Sequence, residues 1–274
     1  MPLTAVAIAL AAAVVHAFWN LVVARARDTQ AVTAVAIAVG VVAVAPLAIL
    51  TWRVEPEAWP FIVASSVLEL VYFWLLTTAY RRAEMSLVYP IARGMAPVIV
   101  LVVSVAVLGV TTSLAQAAGV GLVCLGIVLV RGIRGAARWS DVAMALTVAA
   151  SIAAYTLVDK EGVRYADPIT YVMLILIAPA IASLAFVYSR GGTARLKAAL
   201  QPATVASGIA TVGAYALVLV ALTMAPAASV AAVREVSVVI AVALGAFFLH
   251  ERVGPARAAG AVVVVLGVAL IVAG

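Results

Sequence analysis

The segment Tyr89-Pro90-Ile91-Ala92-Arg93-Gly94-Met95-Ala96-Pro97 places one arginine between two prolines, inside a run from Leu87 to Leu108 that is otherwise almost wholly apolar. A charged side chain at membrane depth costs about 2.5–3.5 kcal/mol on insertion scales, and it usually faces a cavity or a partner. Each proline also leaves a backbone carbonyl of the preceding turn without its usual donor. We therefore expect this segment to form a membrane helix beside a polar cavity.

The composition of the whole chain agrees with a membrane protein. Of the 274 residues, 67% are hydrophobic and 10% are charged, and the mean hydropathy is +1.26. Soluble domains are about half apolar and a quarter charged. The apolar segments are about 20 residues long, which is the length of a membrane-spanning helix. The lipid bilayer is thus the expected partner, and the net charge of +6 is assigned to loop arginines rather than to nucleic-acid binding.

The pattern of apolar runs predicts an all-α membrane protein with ten transmembrane helices. The connections between them are short, and none could hold a soluble domain. The predicted spans are Leu3–Val23, Ala31–Thr51, Ala58–Tyr80, Leu87–Leu108, Ser113–Val130, Asp141–Val158, Pro168–Tyr188, Ala203–Met224, Ala227–Leu249 and Ala256–Ala273.

An internal repeat relates the two halves of the chain. A shift of 141 residues places Arg93 on Arg234, and it also aligns Leu108 with Leu249, Gly119 with Gly260 and Gly126 with Gly267. We therefore predict two five-helix units, residues 1–135 and 136–274. Because five is odd, the second unit enters the membrane in the opposite sense, and such inverted repeats are typical of transporters with a site near the midplane.

The positive charges of the loops predict an orientation. Connections after odd-numbered spans carry twelve Lys and Arg residues, whereas those after even-numbered spans carry three. Since Lys and Arg are enriched in cytoplasmic loops, this count places both termini outside.

The first predicted helix carries a polar face. His16, Trp19 and Asn20 have the spacing i, i+3, i+4 and therefore share one side of the helix. Such a face points toward a cavity, or it forms a satisfied hydrogen-bond cluster between helices. A lone histidine is no metal site, because nothing nearby completes a set of ligands.

Glu69 lies midway along the third span, with Tyr72 on the same face. A carboxyl group there needs a partner, or it is protonated, and in the second case it is a candidate proton carrier. The alternative is a structural ion pair between Glu69 and Arg93. The two interpretations can coexist, because a substrate can break an ion pair.

Two arginines are the candidate anion-binding groups, since a guanidinium suits planar, bidentate recognition of carboxylate or phosphate. Tyr89 precedes Arg93 by four residues and shares its face. Arg234 is followed at once by Glu235, and neighbours on a regular helix do not face each other. At least one of that pair must therefore find a partner elsewhere, and Glu235 is a second candidate for proton coupling.

The second half supplies further polar candidates. Tyr155 and Tyr215 are expected to line the cavity, with Asp159 one turn after Tyr155. Asp159-Lys160-Glu161 lies near a predicted helix end, so we interpret it as a charge cluster at the membrane interface. The tryptophans at the span ends, Trp52, Trp59 and Trp139, are typical of an interfacial belt.

The sequence contains no motif for enzymatic chemistry. It has no Gly-x-Ser-x-Gly elbow, no His-Glu-x-x-His and no phosphate-binding loop. The single cysteine, Cys124, excludes a multi-cysteine metal site. We therefore predict a protein that is not an enzyme and that requires no cofactor.

These residues resemble the EamA branch of the drug/metabolite transporter superfamily. The resemblance covers nearly the whole chain, although Val110-Thr111 stands where this family commonly has a Glu-Arg pair. It rests on His16-Ala17-Phe18-Trp19-Asn20, Ala79-Tyr80-Arg81-Arg82-Ala83, Ser86 to Pro97, His250-Glu251-Arg252, Gly260 and Gly267. It implies a secondary transporter, often an exporter of amino acids, other metabolites or drugs, with a central cavity. It also implies cytoplasmic termini, which opposes the loop-charge count and leaves the orientation open.

The resulting hypothesis is a multi-pass transporter of the cell (inner) membrane, a monomer or homodimer. It exports a small polar metabolite, such as an amino acid or organic anion, by alternating access, with Glu69 or Glu235 as candidate proton carriers. The competing hypothesis is a non-transporting scaffold or accessory subunit whose buried charges are paired statically.

Overall fold

The computed structural model describes residues 1–24, 26–82, 85–131, 138–240, 243 and 254–274. Side chains are described for these residues except 20–24, 77, 80–82, 85–87, 89–90 and 131. The described residues form ten α-helices of eight or more residues, which confirms the predicted all-α class. They are α1 Leu3–Ala24, α2 Thr29–Leu50, α3 Ala58–Arg82, α4 Met85–Ala106, α5 Leu114–Arg131, α6 Trp139–Gly162, α7 Pro168–Ala199, α8 Pro202–Met224, α9 Ala227–Arg234 and α10 Pro255–Ala273.

The lengths and hydropathies of these helices fit a bilayer. Six of them, α2, α3, α6, α7, α8 and α10, contain segments long and apolar enough to cross a membrane. The described parts of α1, α4 and α5 contain shorter apolar segments. The chain is therefore an integral membrane protein with several spanning helices.

Local chemistry accounts for where several helices begin. Asp28 caps α2 by accepting from the backbone N–H of Ala31, and Asp167 caps α7 by accepting from Ile169 and Thr170. Proline opens α7, α8 and α10, where its missing N–H costs nothing and its fixed φ favours the first turn.

Three helices end differently from the prediction. α6 continues to Gly162 rather than stopping at Val158, and α7 continues to Ala199 through a bend at Gly192, whose φ is 63°. α9 ends at Arg234, and after a turn at Glu235 residues 236–240 are helical again. Most of the remaining predicted ninth span, to Leu249, lies outside the described residues.

Glycines allow α5 and α10 to pack closely. A Cβ added to Gly119 would lie 2.6 Å from the carbonyl oxygen of Gly267, and one added to Gly126 would lie 2.7 Å from that of Gly260. Small residues at membrane helix interfaces let the backbones approach each other in this way. Because 119 faces 267 and 126 faces 260, the two helices run antiparallel.

The helix contacts recur when the first five helices are exchanged with the last five. α1 packs on α8 as α6 packs on α3, and α4 packs on α6 as α9 packs on α1. α2 packs on its counterpart α7, and α5 packs on its counterpart α10. Both halves therefore contribute to the centre of the molecule.

α2 and α7 also run antiparallel, and they are joined at both ends. At the end where α2 begins, which we call the Asp28 face, Arg195 Nη2 donates to Asp28 at 2.9 Å and its Nε donates to the other carboxylate oxygen. At the opposite end, the Val54 face, Val54 and Ala166 form an antiparallel bridge. There the N–H of Asp167 donates to the carbonyl of Arg53 at 2.8 Å.

Substitution of Gly119 by alanine tests the packing of α5 on α10. The added methyl must displace the backbone of Gly267, and overpacking of this kind costs about 1–3 kcal/mol. We expect a lower midpoint of thermal unfolding in detergent, measured by scanning fluorimetry. Gly121 lies on the same helix with no atom within 4 Å of an added Cβ, so Gly121→Ala is the matched control and should unfold no earlier than the native protein. Equal midpoints for the two variants would contradict the proposed contact.

The ion pair at the Asp28 face is tested by Asp28→Asn, which keeps a capping oxygen because Asn caps as well as Asp. The hydrogen bond from Arg195 lowers the pKa of Asp28 below its ordinary value of 3.8. A lowered pKa in the folded state means that the pair stabilises above pH ~4 and is lost as the pH falls through the lowered pKa. At neutral pH we expect the free energy of unfolding of the native protein to exceed that of Asp28→Asn by less than about 1 kcal/mol, because the pair is partly exposed.

The measurement is the difference in unfolding midpoint between the two proteins along a pH series. This difference should shrink to zero on acidification. A difference that instead grows at low pH would show that the carboxylate does not act through this pair.

Candidate functional site

A cavity lies between the two halves at mid-height and extends toward the Asp28 face. Its interior is about 120 Å³, which is room for a small molecule rather than for a single water. Eight of the eleven predicted site residues line it, namely His16, Trp19, Glu69, Tyr72, Arg93, Tyr155, Tyr215 and Arg234. The remaining lining residues are Ala12, Thr33, Ala36, Ile37, Phe73, Leu176, Thr211, Ala214 and Val218.

Three predicted residues are not in this lining. The side chains of Asn20 and Tyr89 lie outside the described part of the chain. Glu235 lies behind the cavity wall, 1% exposed, where it contacts two arginines that line it.

Arg93 is held by groups from two other parts of the chain. Its Nη1 donates to Glu235 Oε1 at 3.3 Å, and its Nη2 lies 2.6 Å from Nε2 of His16. α4 continues through Pro90 and Pro97, so the arginine projects from a helix and not from a loop. The alternative interpretation, an ion pair between Glu69 and Arg93, was wrong for the described side chains, because the ion pair of Arg93 there is with Glu235.

His16 lies between two hydrogen-bond donors. The indole Nε1 of Trp19 is 3.2 Å from its Nδ1, with the rings edge to face at 82°, and Arg93 approaches Nε2. Arginine and indole nitrogens can only donate, whereas a neutral imidazole can accept only once. At most one of these two N–H groups can therefore donate to the imidazole itself.

The break after α9 brings Arg234 and Glu235 together. The N–H of Glu235 donates to Ala232 and Val233 in a tight turn, and Arg234 Nη2 comes within 3.7 Å of Glu235 Oε1. The expectation that these neighbours do not face each other was wrong, because it assumed an unbroken helix. The expectation that one of them has a distant partner is confirmed by the bond from Arg93 to Glu235.

Two buried polar atoms near this break have no hydrogen-bond partner among the described residues. They are Nε of Arg234 and Oε2 of Glu235. An unsatisfied buried group costs about 1–3 kcal/mol, and more when it is charged. The Nε itself is buried, but the Arg234 side chain lines the cavity, so a ligand with acceptor oxygens could bond to its guanidinium there.

A second polar group connects α3, α6 and α8. The hydroxyl of Tyr215 lies 3.0 Å from Glu69 Oε1 and 2.6 Å from Asp159 Oδ2. Ser65 and Tyr171 donate to the other oxygen of Asp159, Tyr171 at 3.3 Å. Glu69 is 4% exposed and Asp159 is 1% exposed.

The interpretation of Asp159 as an interfacial charge was therefore wrong. Because α6 continues to Gly162, Asp159 stays inside the helix and within the packed core. Only part of the predicted cluster is at the surface: Glu161 pairs with Arg164 at 2.8 Å, while Lys160 donates to the carbonyls of Leu222 and Ala225. The spacing of Tyr155 and Asp159 was the signal that could have placed Asp159 inward.

Aromatic rings form one wall of the cavity. Tyr155 stands edge to face with Tyr72 at 5.8 Å between centroids, and it is tilted against Tyr215 at 6.3 Å. Phe73, which the sequence analysis did not select, packs on Tyr72 at 5.3 Å. The cavity thus combines an aromatic wall with a cluster of guanidinium groups.

These features define an integral membrane protein with a charged cavity between two helical halves. The EamA-like transporter family model matches residues 3–132 and again 139–273, and the chain belongs to that family. It is thus a membrane transporter of the drug/metabolite transporter type, which is consistent with the prediction of a protein that is not an enzyme. The double match agrees with the 141-residue repeat.

A solved structure titled "Crystal structure of protein" is similar over 98% of this chain and 96% of its own, with a TM-score of 0.78 and 17% sequence identity. At this identity the similarity shows the fold alone. A comparison with curated proteins finds no match.

Glu235→Ala tests the ion pair at the centre of the site. It removes the carboxylate that lies within reach of both guanidinium groups, and removing one partner of a buried pair costs about 3–5 kcal/mol. We expect a clear fall in the unfolding midpoint and in the yield of monodisperse protein. Glu161→Ala, which removes an exposed carboxylate, should change stability by less than about 1 kcal/mol. Similar losses in both variants would show that burial of Glu235 has no special weight.

Proposed function

We propose that this protein is a secondary active transporter that exports a small polar metabolite, such as an amino acid or organic anion, across the cell (inner) membrane. Its two five-helix halves are inverted repeats, and they alternate access to the cavity between them. Support for inversion comes from the antiparallel packing of α2 on α7 and of α5 on α10, each helix on its own counterpart.

The observation that carries this proposal is the guanidinium of Arg234 in the cavity lining. Its Nε has no hydrogen-bond partner among the described residues, and its Nη2 lies 3.7 Å from the carboxylate oxygen that already accepts from Arg93. An anionic group of the substrate, accepting from this guanidinium, would supply an acceptor that the described side chains do not.

The other side of the cavity suits an apolar or cationic group. The rings of Tyr72, Phe73 and Tyr155 present faces on which a cation or an aromatic ring can lie. Glu69, with Oε1 near Tyr215, is an acceptor within the same lining. A molecule with a carboxylate at one end and an ammonium or ring at the other fits this arrangement.

Contacts at both ends of the α2–α7 pair support alternating access. The Asp28 face is joined by an ion pair, and the Val54 face is joined by a backbone bridge that includes the bond from Asp167 to Arg53. Opening either end, while the other stays joined, would expose the cavity to one side at a time.

The competing function is a scaffold with statically paired charges. The ion pair between Arg93 and Glu235, with His16 on the same guanidinium, is the observation in its favour. Arg234 favours the transporter, because a scaffold gains nothing from a guanidinium in the cavity lining whose Nε is unsatisfied among the described residues.

The test is counterflow in proteoliposomes, with mixtures of radiolabelled L-amino acids and of monocarboxylates as separate probes. For the probe that exchanges, Arg234→Met should raise KM about 10–100-fold, because a hydrogen bond to a charged group is worth about 1.5–3 kcal/mol. Arg164→Met removes an exposed arginine outside the cavity and should leave KM unchanged.

Two results would contradict the proposal. Absence of saturable counterflow of every probe by the native protein would favour the scaffold. An unchanged KM in Arg234→Met, with a probe that does exchange, would remove the guanidinium from the site.

A further inference from the structure

A chain of three oxygen-bearing side chains leads from the cavity toward the Val54 face. Glu69 lines the cavity, Tyr215 follows, and Asp159 lies beyond it, bonded also to Ser65 and Tyr171. Beyond Asp159, α6 ends at Gly162, and the connection to α7 contains Ala166, which forms the bridge to Val54. Two buried carboxyl groups thus meet at a single phenol.

The two hydrogen bonds at the phenol of Tyr215 need two hydrogen atoms. Tyr215 has one hydroxyl proton, yet its oxygen lies at hydrogen-bond distance from both Glu69 and Asp159. If Tyr215 donates to Asp159, only a protonated Glu69 can complete the other bond. If Tyr215 donates to Glu69, Asp159 must carry the proton instead. Each arrangement requires one protonated carboxyl, because two carboxylates facing one proton would repel each other.

The charges around Glu69, Tyr215 and Asp159 also indicate one proton on the two carboxyl groups. Arg93 and Arg234 contribute two positive charges and Glu235 contributes one negative charge. One proton shared by Glu69 and Asp159 leaves a single negative charge there, so the buried cluster is neutral. Arg234 lines the same cavity as Glu69. The other charged and titratable groups around the three residues are Arg93 and His16 in the cavity lining, Lys160 next to Asp159, and the phenols of Tyr72, Tyr155 and Tyr171, which are neutral at ordinary pH.

Addition of a second proton gives the cluster one positive charge. A monoanionic substrate at Arg234 restores neutrality, so proton uptake and anion binding favour each other. The two therefore cross in the same direction, and export of the anion carries a proton out with it. This second proton comes from the surrounding water. Glu235 is the carboxylate of the ion pair with Arg93. Among the described carboxyl groups of this cluster, Glu69 and Asp159 therefore remain to exchange protons.

The same three side chains can move a proton from the cavity toward the Val54 face. The O–H bond of Glu69 breaks while a new O–H bond forms on Tyr215. The original O–H bond of Tyr215 breaks and its proton passes to Asp159. Tyr215 ends with one proton as it began, and the negative charge moves from Asp159 to Glu69.

We propose that Glu69, Tyr215 and Asp159 form a proton relay that holds one proton at rest and takes up a second to couple transport. The role in coupling rests on the transport function proposed above, whereas the resting proton does not.

The resting proton is tested without any substrate. Infrared difference spectroscopy of the purified protein at neutral pH should show the carbonyl stretch of a protonated carboxylic acid, which is distinct from carboxylate bands. Glu69→Gln should abolish this band and Asp159→Asn should abolish or shift it. Glu161→Gln, which removes an exposed carboxyl two residues from Asp159, should leave it unchanged. A native spectrum without the band, or a band unaltered by both relay variants, would overturn the relay.

Coupling is tested in proteoliposomes with the amino-acid or monocarboxylate probe that shows counterflow. In Asp159→Asn, a pH gradient should no longer accelerate exchange of this probe, whereas it should accelerate exchange in the native protein and in Glu161→Gln. A normal response to the gradient would overturn coupling through Asp159. Loss of exchange as well would assign Asp159 a structural role and also overturn it. If the native protein exchanges no probe, the transport proposal fails, and the infrared result decides the resting proton separately.

Discussion

The ion pair between Arg93 and Glu235 is the interaction on which the rest of the site depends. It connects α4 to the break that follows α9, and through His16 it also reaches α1. A buried charge is costly unless it is paired, so the pair fixes where the two halves meet. The break at Glu235 follows from this requirement, since the turn brings the carboxylate within reach of two guanidinium groups.

The two halves repeat the same sequence pattern, but they differ in charge at one position beside the arginines. At an offset of 141 residues, Arg234 corresponds to Arg93, whereas Glu235 corresponds to Gly94. One carboxylate therefore serves both arginines, and among the described residues Nε of Arg234 is left without an acceptor. The proposed anion site rests on this inequality between otherwise matching halves.

Local patterns predicted most of the helices, because each apolar run records its own contact with lipid. Close packing at Gly119 and Gly126 could likewise be expected from the repeat. Partner choice could not be predicted, since Arg93 and Glu235 are 142 residues apart and nothing in the sequence near Glu69 favours Tyr215 over Arg93. Asp159 was misplaced because hydropathy ends a helix at its first charge, whereas here hydrogen bonds from Ser65, Tyr171 and Tyr215 compensate for its burial.

The two ends of the α2–α7 pair are closed by different forces. An ion pair near the surface joins the Asp28 face, and backbone hydrogen bonds join the Val54 face. Dissolved ions weaken the attraction between exposed charges, with a screening length of about 10 Å at 0.1 M, but they leave a bond between peptide groups largely untouched. Ionic strength therefore weakens the ion pair more than the backbone bonds. Under the proposed alternating access, the balance between the two open forms would be sensitive to the salt on the side of the membrane that carries the Asp28 face.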